Sequence, residues 1–326
     1  MTPKKKHIAI IIPYYGPWPE WLPFFLKSCS VHKEWDWFLF HDQQVPSWVP
    51  ENVHFVSLPL EKLGRLIREK AGVEVPLHDP YKLCDLKPAF GLIFQEFLKP
   101  YPYWGYGDLD LIYGNLSEYF RPEILSGYDL FSTHPDFVPA PLVVLKNEKQ
   151  MRVLFKKVES FREHFSRPYY CGFDERLFRF CPPGPEWVQR FIRRVRVEGS
   201  VPLYRTIQGM KKIGFSNIFQ GKKKKENPQI EKAPKDFSSV VHRAAERGTL
   251  RLLSRHEDLS DLALKKRGIK KWRMKWHQGT LIEELSGREL LHFHFQLLKG
   301  RRSFRIPPFQ PDKDTFFITP QGFSYE

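Results

Sequence analysis

Short apolar runs alternate with segments of helical spacing through the first half of the chain. Residues 7–12 are β-branched and almost continuously apolar, which is typical of a strand buried on both faces of a parallel sheet. Similar strands are predicted at 35–42 and 53–58, and residues 19–30 and 61–71 have the spacing of helices. This alternation predicts an α/β fold with a mainly parallel sheet flanked by helices.

The same alternation continues through the middle of the chain. We predict a helix at 81–98 that is interrupted near Pro88, and a single strand at 103–114. Two further strands and an amphipathic helix are predicted at 128–134, 141–147 and 148–164. Ligands of such sheets bind beyond the carboxyl ends of the strands, so the residues that follow each strand are candidates for a site.

Beyond residue 190 the apolar periodicity weakens and basic residues accumulate, including four successive lysines at 222–225. Periodicity returns near residue 237. We therefore predict an α/β domain at 1–190, a basic insertion or mobile segment at 191–236, and a C-terminal α+β extension at 237–326 that completes the first domain.

The composition narrows the class of protein. Of the 326 residues, 41% are hydrophobic and 15% aromatic, which supplies a packed core and argues against a disordered chain. The formal charge of +15 favours anionic partners, although a solvated basic surface explains it equally well. The four cysteines have no CxxC spacing, and no apolar run reaches the length of a signal peptide or a membrane span. We therefore expect a cytoplasmic protein.

Asp108 and Asp110 lie one residue apart in the apolar segment 103–114. Burying a carboxylate is costly unless it is paired, hydrogen-bonded or bound to a metal. Side chains alternate along a strand, so a strand here would point both carboxylates to one side, where they repel each other unless a cation lies between them. Such hard oxygen ligands suit Mg²⁺ or Mn²⁺. The pair indicates either a divalent-metal site that holds a diphosphate or an ordinary turn or helix cap.

Four segments resemble glycosyltransferases of the GT-A fold, and most closely a bacterial glycosyltransferase-like family of largely uncharacterised function. The segments are IAIIIPYYGPWPEW at 8–21, YKLCDLKPAFGLIF at 81–94, YWGYGDLDLIYGNL at 103–116 and HFQ at 294–296. The resemblance implies a Rossmann-like sheet, a nucleoside-diphosphate sugar as donor, with a UDP-sugar favoured, and Mn²⁺ or Mg²⁺ as cofactor.

The resemblance also implies roles for individual residues near the metal. Asp108 and Asp110 would bind the metal and the diphosphate, and His294 would complete the metal shell, because HFQ favours it over His292. An ordinary buried or surface histidine is the alternative. Lys299 is a further candidate for neutralising phosphate.

Donor binding is predicted at two further segments. Pro13, Tyr14 and Tyr15 follow the first strand, where such folds hold the nucleotide, and a tyrosine there could stack on a base. Asp85 would contact the donor sugar or ribose. Lys82 and Lys87 would contact the phosphates, unless these charges only favour a helix start or lie in solvent.

Asp174 and Glu175 lie where such enzymes often place an acidic residue that faces the acceptor. One of them would be the general base of an inverting transferase. The alternative is a helix start with Asp174 as the N-cap. His134 and Asp136 follow another predicted strand and are candidates for the same cleft.

We expect a glycan or lipid-linked acceptor. The basic region 190–235, together with Trp272, Trp276 and the lysines around them, is a candidate for contact with the acceptor or an anionic membrane. The chain has no nucleic-acid-binding motif. One alternative is a polyanion- or membrane-binding protein on a non-catalytic GT-A-like scaffold. Another is a metal-dependent phosphohydrolase of the haloacid dehalogenase type, whose acidic motif would follow the first strand, where this chain has PYYG.

Overall fold

The computed structural model describes residues 6–133, 138, 141–173, 236–254 and 258–325. Its strands are β1 Ile8–Pro13, β2 Trp35–His41, β3 Val53–Ser57, β4 Tyr103–Gly107, β5 Leu111–Tyr113, β6 Leu130–Ser132, β7 Leu142–Lys146, β8 Leu252–Ser254, β9 Asp258–Ser260, β10 Met274–His277, β11 Thr280–Glu283, β12 Arg288–Glu289, β13 His292–His294, β14 Thr315–Thr319 and β15 Gly322–Ser324.

The described α-helices are α1 Leu22–Ser30, α2 Leu60–Ala71, α3 Phe90–Ile93, α4 Gln95–Leu98, α5 Leu116–Tyr119, α6 Pro122–Gly127, α7 Lys149–Arg152, α8 Phe161–Ser166, α9 Phe237–Glu246 and α10 Asp261–Lys266. Two 3₁₀ helices span Pro80–Ala89 and Leu154–Lys157. Within the part of the chain that the structure describes, no helix is long and apolar enough to cross a bilayer.

Seven of the described strands form a central sheet in the order β3, β2, β1, β4, β7, β6, β8. Four of the six pairings are parallel, and β7 runs antiparallel to β4 and β6. Along β1, Ile8, Ile10 and Ile12 pack into one apolar cluster, while Ala9 and Ile11 pack into another. Burial on both faces explains the continuous apolar run, and the predicted α/β class with a mainly parallel sheet is confirmed.

Helices cover both faces of this sheet. Leu63 and Ile67 of α2 and Val240 of α9 belong to the cluster on one face, whereas Leu22 and Phe25 of α1 belong to the cluster on the other. The C-terminal part of the chain therefore contributes to the main core, through α9 and through β8 at the edge of the sheet.

Two smaller sheets complete the described fold. The first has the strand order β5, β13, β9, and the second is an antiparallel sheet with the order β12, β11, β10, β14, β15. Trp272 and Trp276 are 7% and 0% exposed and pack in the core of this region. The prediction that these two tryptophans contact a membrane or an acceptor is therefore wrong, because their rings lie inside the protein.

Two predicted helices are broken into shorter pieces. Residues 81–98 form the 3₁₀ helix Pro80–Ala89 followed by α3 and α4, and residues 148–164 form α7, the second 3₁₀ helix and the start of α8. Pro88 lacks the N–H that an α-helix requires, which explains why the first segment is not a regular helix. The predicted domain boundaries stay predictions, and residues 191–235 lie outside the described part of the chain.

The acidic pair does not lie in a strand, as the alternation argument assumed. β4 ends at Gly107 and belongs to the central sheet, whereas β5 begins at Leu111 and belongs to the three-stranded sheet. Residues 108–110 form the turn in which the chain passes from one sheet to the other. The prediction of one strand over 103–114 is therefore wrong, although both flanking strands exist.

Candidate functional site

A cleft of about 530 Å³ lies at the carboxyl edge of the central sheet. Pro13 and Tyr14 enter it from the end of β1, and Gly107 and Asp108 enter it from the end of β4. Pro141 lines the same cleft because β7 runs in the opposite direction and pairs at Leu142 with Gly107. The cleft therefore occupies the edge at which sheets of this kind bind ligands.

Three side chains in this cleft converge on one point. Asp108, Asp110 and His294 each offer a ligand atom, and these atoms lie within 4.8 Å of one another. Strand pairing brings His294 to the two aspartates, since β13 runs antiparallel to β5 and places His294 opposite Leu111. The indole nitrogen of Trp21 donates to the carbonyl of Leu109 at 3.1 Å and so fixes the turn between the two aspartates.

Asp110 is the most strongly perturbed of the three. Its side chain is 7% exposed, and its Oδ2 atom lies 3.2 Å from Nε2 of His294 and 2.7 Å from Nζ of Lys299. Burial raises the pKa of Asp110, but the charge of Lys299 and the imidazole of His294 outweigh it and hold this pKa well below its ordinary value. Burial lowers the pKa of His294, and the carboxylate of Asp110 more than reverses this effect. The carboxylate is therefore ionised.

Asp108 has its own cationic partner. The side chain of Asp108 is 25% exposed, and its Oδ1 atom forms an ion pair with Nζ of Lys87, whose side chain is 6% exposed. Two lysines thus flank the pair of aspartates, one on each carboxylate. Lys299 is the more accessible of them, with 41% of its side chain exposed.

The cluster fits a divalent cation in its donor atoms. Two carboxylates and one imidazole are ligands that Mn²⁺ accepts, and Mg²⁺ accepts the carboxylates with water in the remaining positions. The lysine contacts use Oδ1 of Asp108 and Oδ2 of Asp110. From the described part of the chain, the second oxygen of each carboxylate receives no hydrogen bond, so one oxygen of each aspartate remains for a metal.

The residues predicted to hold the nucleotide all line the cleft, although they differ in accessibility. Tyr15 is 8% exposed, and its hydroxyl donates to the carbonyl of Leu58 at 2.7 Å, so this side chain belongs mainly to the core. Tyr14 stacks on Trp18 with ring centroids 5.3 Å apart. Tyr14 is therefore the better placed of the two tyrosines for stacking on a base, and that contact stays a prediction.

Lys82 and Asp85 are placed differently from the prediction. Both side chains are 0% exposed, and they form a buried ion pair at 2.8 Å. Lys82 also donates to the carbonyls of His164 and Tyr169, and Asp85 accepts from the backbone N–H groups of Cys171 and Phe173. This geometry favours a structural role, in which the pair fastens segment 164–173 to the 3₁₀ helix, over direct contact with a donor.

Several residues that line the cleft were not predicted. Tyr81 and Tyr170 form an edge-to-face pair with ring centroids 5.0 Å apart, and Tyr81 is 45% exposed. Gln296 and Trp21 also line the cleft, and both stand inside segments that carried the resemblance. Asp174, Glu175, His134 and Asp136 lie outside the described residues.

Comparison with known proteins gives three kinds of result. Curated proteins include no match to the chain. Solved structures with some similarity include the galactosyltransferase LgtC in complex with donor and acceptor sugar analogues, at 11% identity and a TM-score of 0.31, covering 48% of this chain and 64% of that chain. This chain therefore spans less than two-thirds of the length of LgtC.

Two further solved structures cover more of the chain. The first is the glycosyltransferase GlyE of Streptococcus pneumoniae, at 11% identity and a TM-score of 0.31, and the match covers 78% of this chain and 68% of that one. The second is a glycosyltransferase involved in glycosylation of the major capsid of PBCV-1, at 9% identity and a TM-score of 0.30, and the match covers 88% of this chain and 92% of that one.

Residues 10–326 match the model of a family of unknown function, DUF6625, and the chain belongs to this family.

Proposed function

We propose that this protein is a metal-dependent glycosyltransferase that binds a nucleoside-diphosphate sugar, with a UDP-sugar favoured, in the cleft at the carboxyl edge of the central sheet. The observation that carries the proposal is the convergence of Asp108, Asp110 and His294 within 4.8 Å in that cleft. These residues would hold Mn²⁺ or Mg²⁺, and Tyr14 and Pro13 would contact the nucleotide.

Such a site suits the chemistry of sugar transfer. The oxygen of an acceptor hydroxyl bonds to the anomeric carbon and its proton passes to a base, while the bond from that carbon to the β-phosphate oxygen breaks and the nucleoside diphosphate departs with the bonding electrons. A metal held by Asp108, Asp110 and His294 would supply Lewis-acid stabilisation of the charge that develops on the departing diphosphate. Lys87 and Lys299, which already lie beside the aspartates, would add positive charge at the same place.

The acceptor would approach from the side of Tyr81 and Tyr170. Exposed aromatic rings offer flat apolar surfaces to sugar rings, and Tyr81, which lines the cleft, is 45% exposed. We propose a glycan or lipid-linked acceptor. Asp174 and Glu175 follow this segment closely in the chain and stay the candidates for the general base.

A binding screen tests the proposal. UDP, GDP and their sugars are titrated by calorimetry with and without Mn²⁺, against wild-type protein and the variants Asp108→Asn and Asp110→Asn. The expected result is binding that requires the metal and is lost in both variants. Asp312→Asn is the matched control, because it removes one carboxylate at an exposed position. This variant should bind as wild type does.

The same screen separates the alternatives. A polyanion-binding protein on a non-catalytic scaffold would bind nucleic acid or anionic vesicles more tightly than any nucleotide, and a phosphohydrolase would release phosphate from simple phosphoesters. Nucleotide binding that needs no metal and is unaffected by Asp108→Asn and Asp110→Asn would refute the proposal.

A further inference from the structure

Lys87 and Lys299 form ion pairs with the two aspartates that would bind a metal, so their positive charges affect the binding of that metal. Lys87 is ion-paired with Oδ1 of Asp108, and Nζ of Lys299 lies 2.7 Å from Oδ2 of Asp110. Among the described residues, the two carboxylates and their two ammonium partners have formal charges that sum to zero, apart from the imidazole of His294. The aspartates therefore already have counter-ions of their own.

A divalent cation that entered this cluster alone would face two ammonium groups at short range. The cleft excludes part of the solvent, since Asp110 is 7% and the side chain of Lys87 is 6% exposed, so repulsion between like charges is weakly screened. A diphosphate that entered alone would face two carboxylates. Each ligand by itself thus meets charge of its own sign, and both ligands together restore the balance.

We infer that Lys87 and Lys299 act as exchangeable counter-ions which make the binding of the metal and of a diphosphate mutually dependent. When both ligands are present, the ammonium groups turn from the aspartates to phosphate oxygens, and the metal, held through the carboxylate oxygens that the lysines do not contact, becomes the counter-ion of the aspartates. Lysine suits this exchange because its ammonium group is a compact charge on a flexible stem with three donors. Lys299 is the more accessible of the two lysines, since 41% of its side chain is exposed.

This inference rests on the proposed function in one respect, the presence of a metal and diphosphate site, but it does not depend on the base or the sugar. By thermodynamic linkage, the factor by which a diphosphate tightens the metal equals the factor by which the metal tightens the diphosphate. Removing one ammonium group should therefore strengthen the binding of the metal alone and weaken the coupling. If the lysine only contacted phosphate and did not oppose the metal, its removal would leave the affinity for the metal alone unchanged.

The experiment measures Mn²⁺ affinity by the loss of the free-ion EPR signal, in the presence and absence of pyrophosphate, which carries the diphosphate without a base. In Lys299→Met, Mn²⁺ alone should bind about tenfold more tightly than in wild type, and the gain on adding pyrophosphate should shrink by about tenfold. Lys299→Arg keeps the charge and should keep the coupling. Lys313→Met, at an exposed position, is the matched control and should leave both quantities unchanged.

Because Mn²⁺ and pyrophosphate also associate in solution, variants are compared at identical concentrations, and thermal midpoints confirm that each variant is folded. Unchanged or weaker binding of Mn²⁺ alone in folded Lys299→Met would overturn the inference. If coupling is present in wild type and weakens in Lys299→Met, but wild-type protein binds no nucleotide sugar, the exchange is supported and the proposed function is refuted. A wild-type protein that binds no Mn²⁺ under either condition would overturn both.

Discussion

Nε2 of His294 lies 3.2 Å from Oδ2 of Asp110, although 184 residues separate the two in the chain. The backbone enforces this contact, since β13 pairs with β5 and the N–H of Phe295 donates to the carbonyl of Asp110 at 3.2 Å. Just after β5, the two backbone segments approach so closely that a Cβ on Gly114 would lie 2.0 Å from the carbonyl oxygen of Leu290. The site is therefore built by strand pairing between distant parts of the chain.

Trp21 should position the metal cluster without being a ligand. Its indole N–H donates to Leu109 between the aspartates, and its ring packs edge-to-face on Phe295, which follows His294. Trp21→Phe keeps an aromatic ring and removes the donor. We expect Mn²⁺ affinity, measured by EPR, to fall by about tenfold, while the free energy of unfolding falls by only about 1 kcal/mol.

Trp48 offers the matched control for this change, because it is partly exposed and packs on Phe309, and neither of these two residues is part of the described lining of the cleft. Trp48→Phe should leave Mn²⁺ affinity at the wild-type value. Equal affinities in Trp21→Phe and wild type would show that the indole hydrogen bond has no part in forming the site.

The buried pair Lys82 and Asp85 should be essential for stability. Removing one partner of a buried, hydrogen-bonded ion pair leaves an uncompensated charge and costs about 3–5 kcal/mol. We expect Lys82→Met to lower the free energy of unfolding in urea by this amount, because Asp85 would keep two backbone donors but lose the one cation that contacts it in the described part of the chain. Lys62→Met, at an exposed position of α2, should change stability by less than about 0.5 kcal/mol. A small effect at Lys82 would argue that the pair is free to open toward a ligand.

His32 should make the fold sensitive to acid. The residue is 3% exposed, and burial lowers its pKa to about 4, against the partly compensating charge of Glu34. Its pKa in the unfolded chain is near 6.5, so the unfolded state binds an extra proton between these values. The stability that neutral His32 contributes is complete above pH 6.5 and is lost as pH falls toward 4.

Urea unfolding of wild type and His32→Gln across this range tests the prediction. Relative to the variant, wild-type protein should lose about 3 kcal/mol between about pH 7 and pH 4, from a pKa difference of about 2.5 at 1.36 kcal/mol for each unit. His78→Gln, at an exposed position, should follow the wild-type curve. Parallel curves for wild type and His32→Gln would mean that His32 is not held neutral by burial.

Local sequence pattern predicted β1 and β2 well because both strands are buried along almost their whole length, as the run Ile8 to Ile12 is. The same pattern failed at Asp108 and Asp110, because nothing local indicates that the chain changes sheets between Gly107 and Leu111. The carboxylates nevertheless meet, through a turn rather than through strand alternation.

Partners that are distant in sequence were the hardest to predict. A buried ion pair and a phosphate contact use the same residue types, so Lys82 and Asp85 could not be separated from Lys87 before the packing was known. Trp272 and Trp276 beside lysines resembled an interfacial surface, but only the three-dimensional packing shows that their rings are covered. The pairing of β13 with β5 likewise depends on contacts that periodicity does not encode.

The most direct test of the central claim is pulsed EPR of Mn²⁺ bound to the protein in the presence of UDP, recording couplings to ¹⁴N and ³¹P. We expect both couplings in wild type, because the ion would contact the imidazole of His294 and the diphosphate together. In His294→Gln the ¹⁴N coupling should disappear, and in the exposed control His277→Gln it should persist. A spectrum of the hydrated ion with neither coupling, or a ¹⁴N coupling that survives in His294→Gln, would contradict the account.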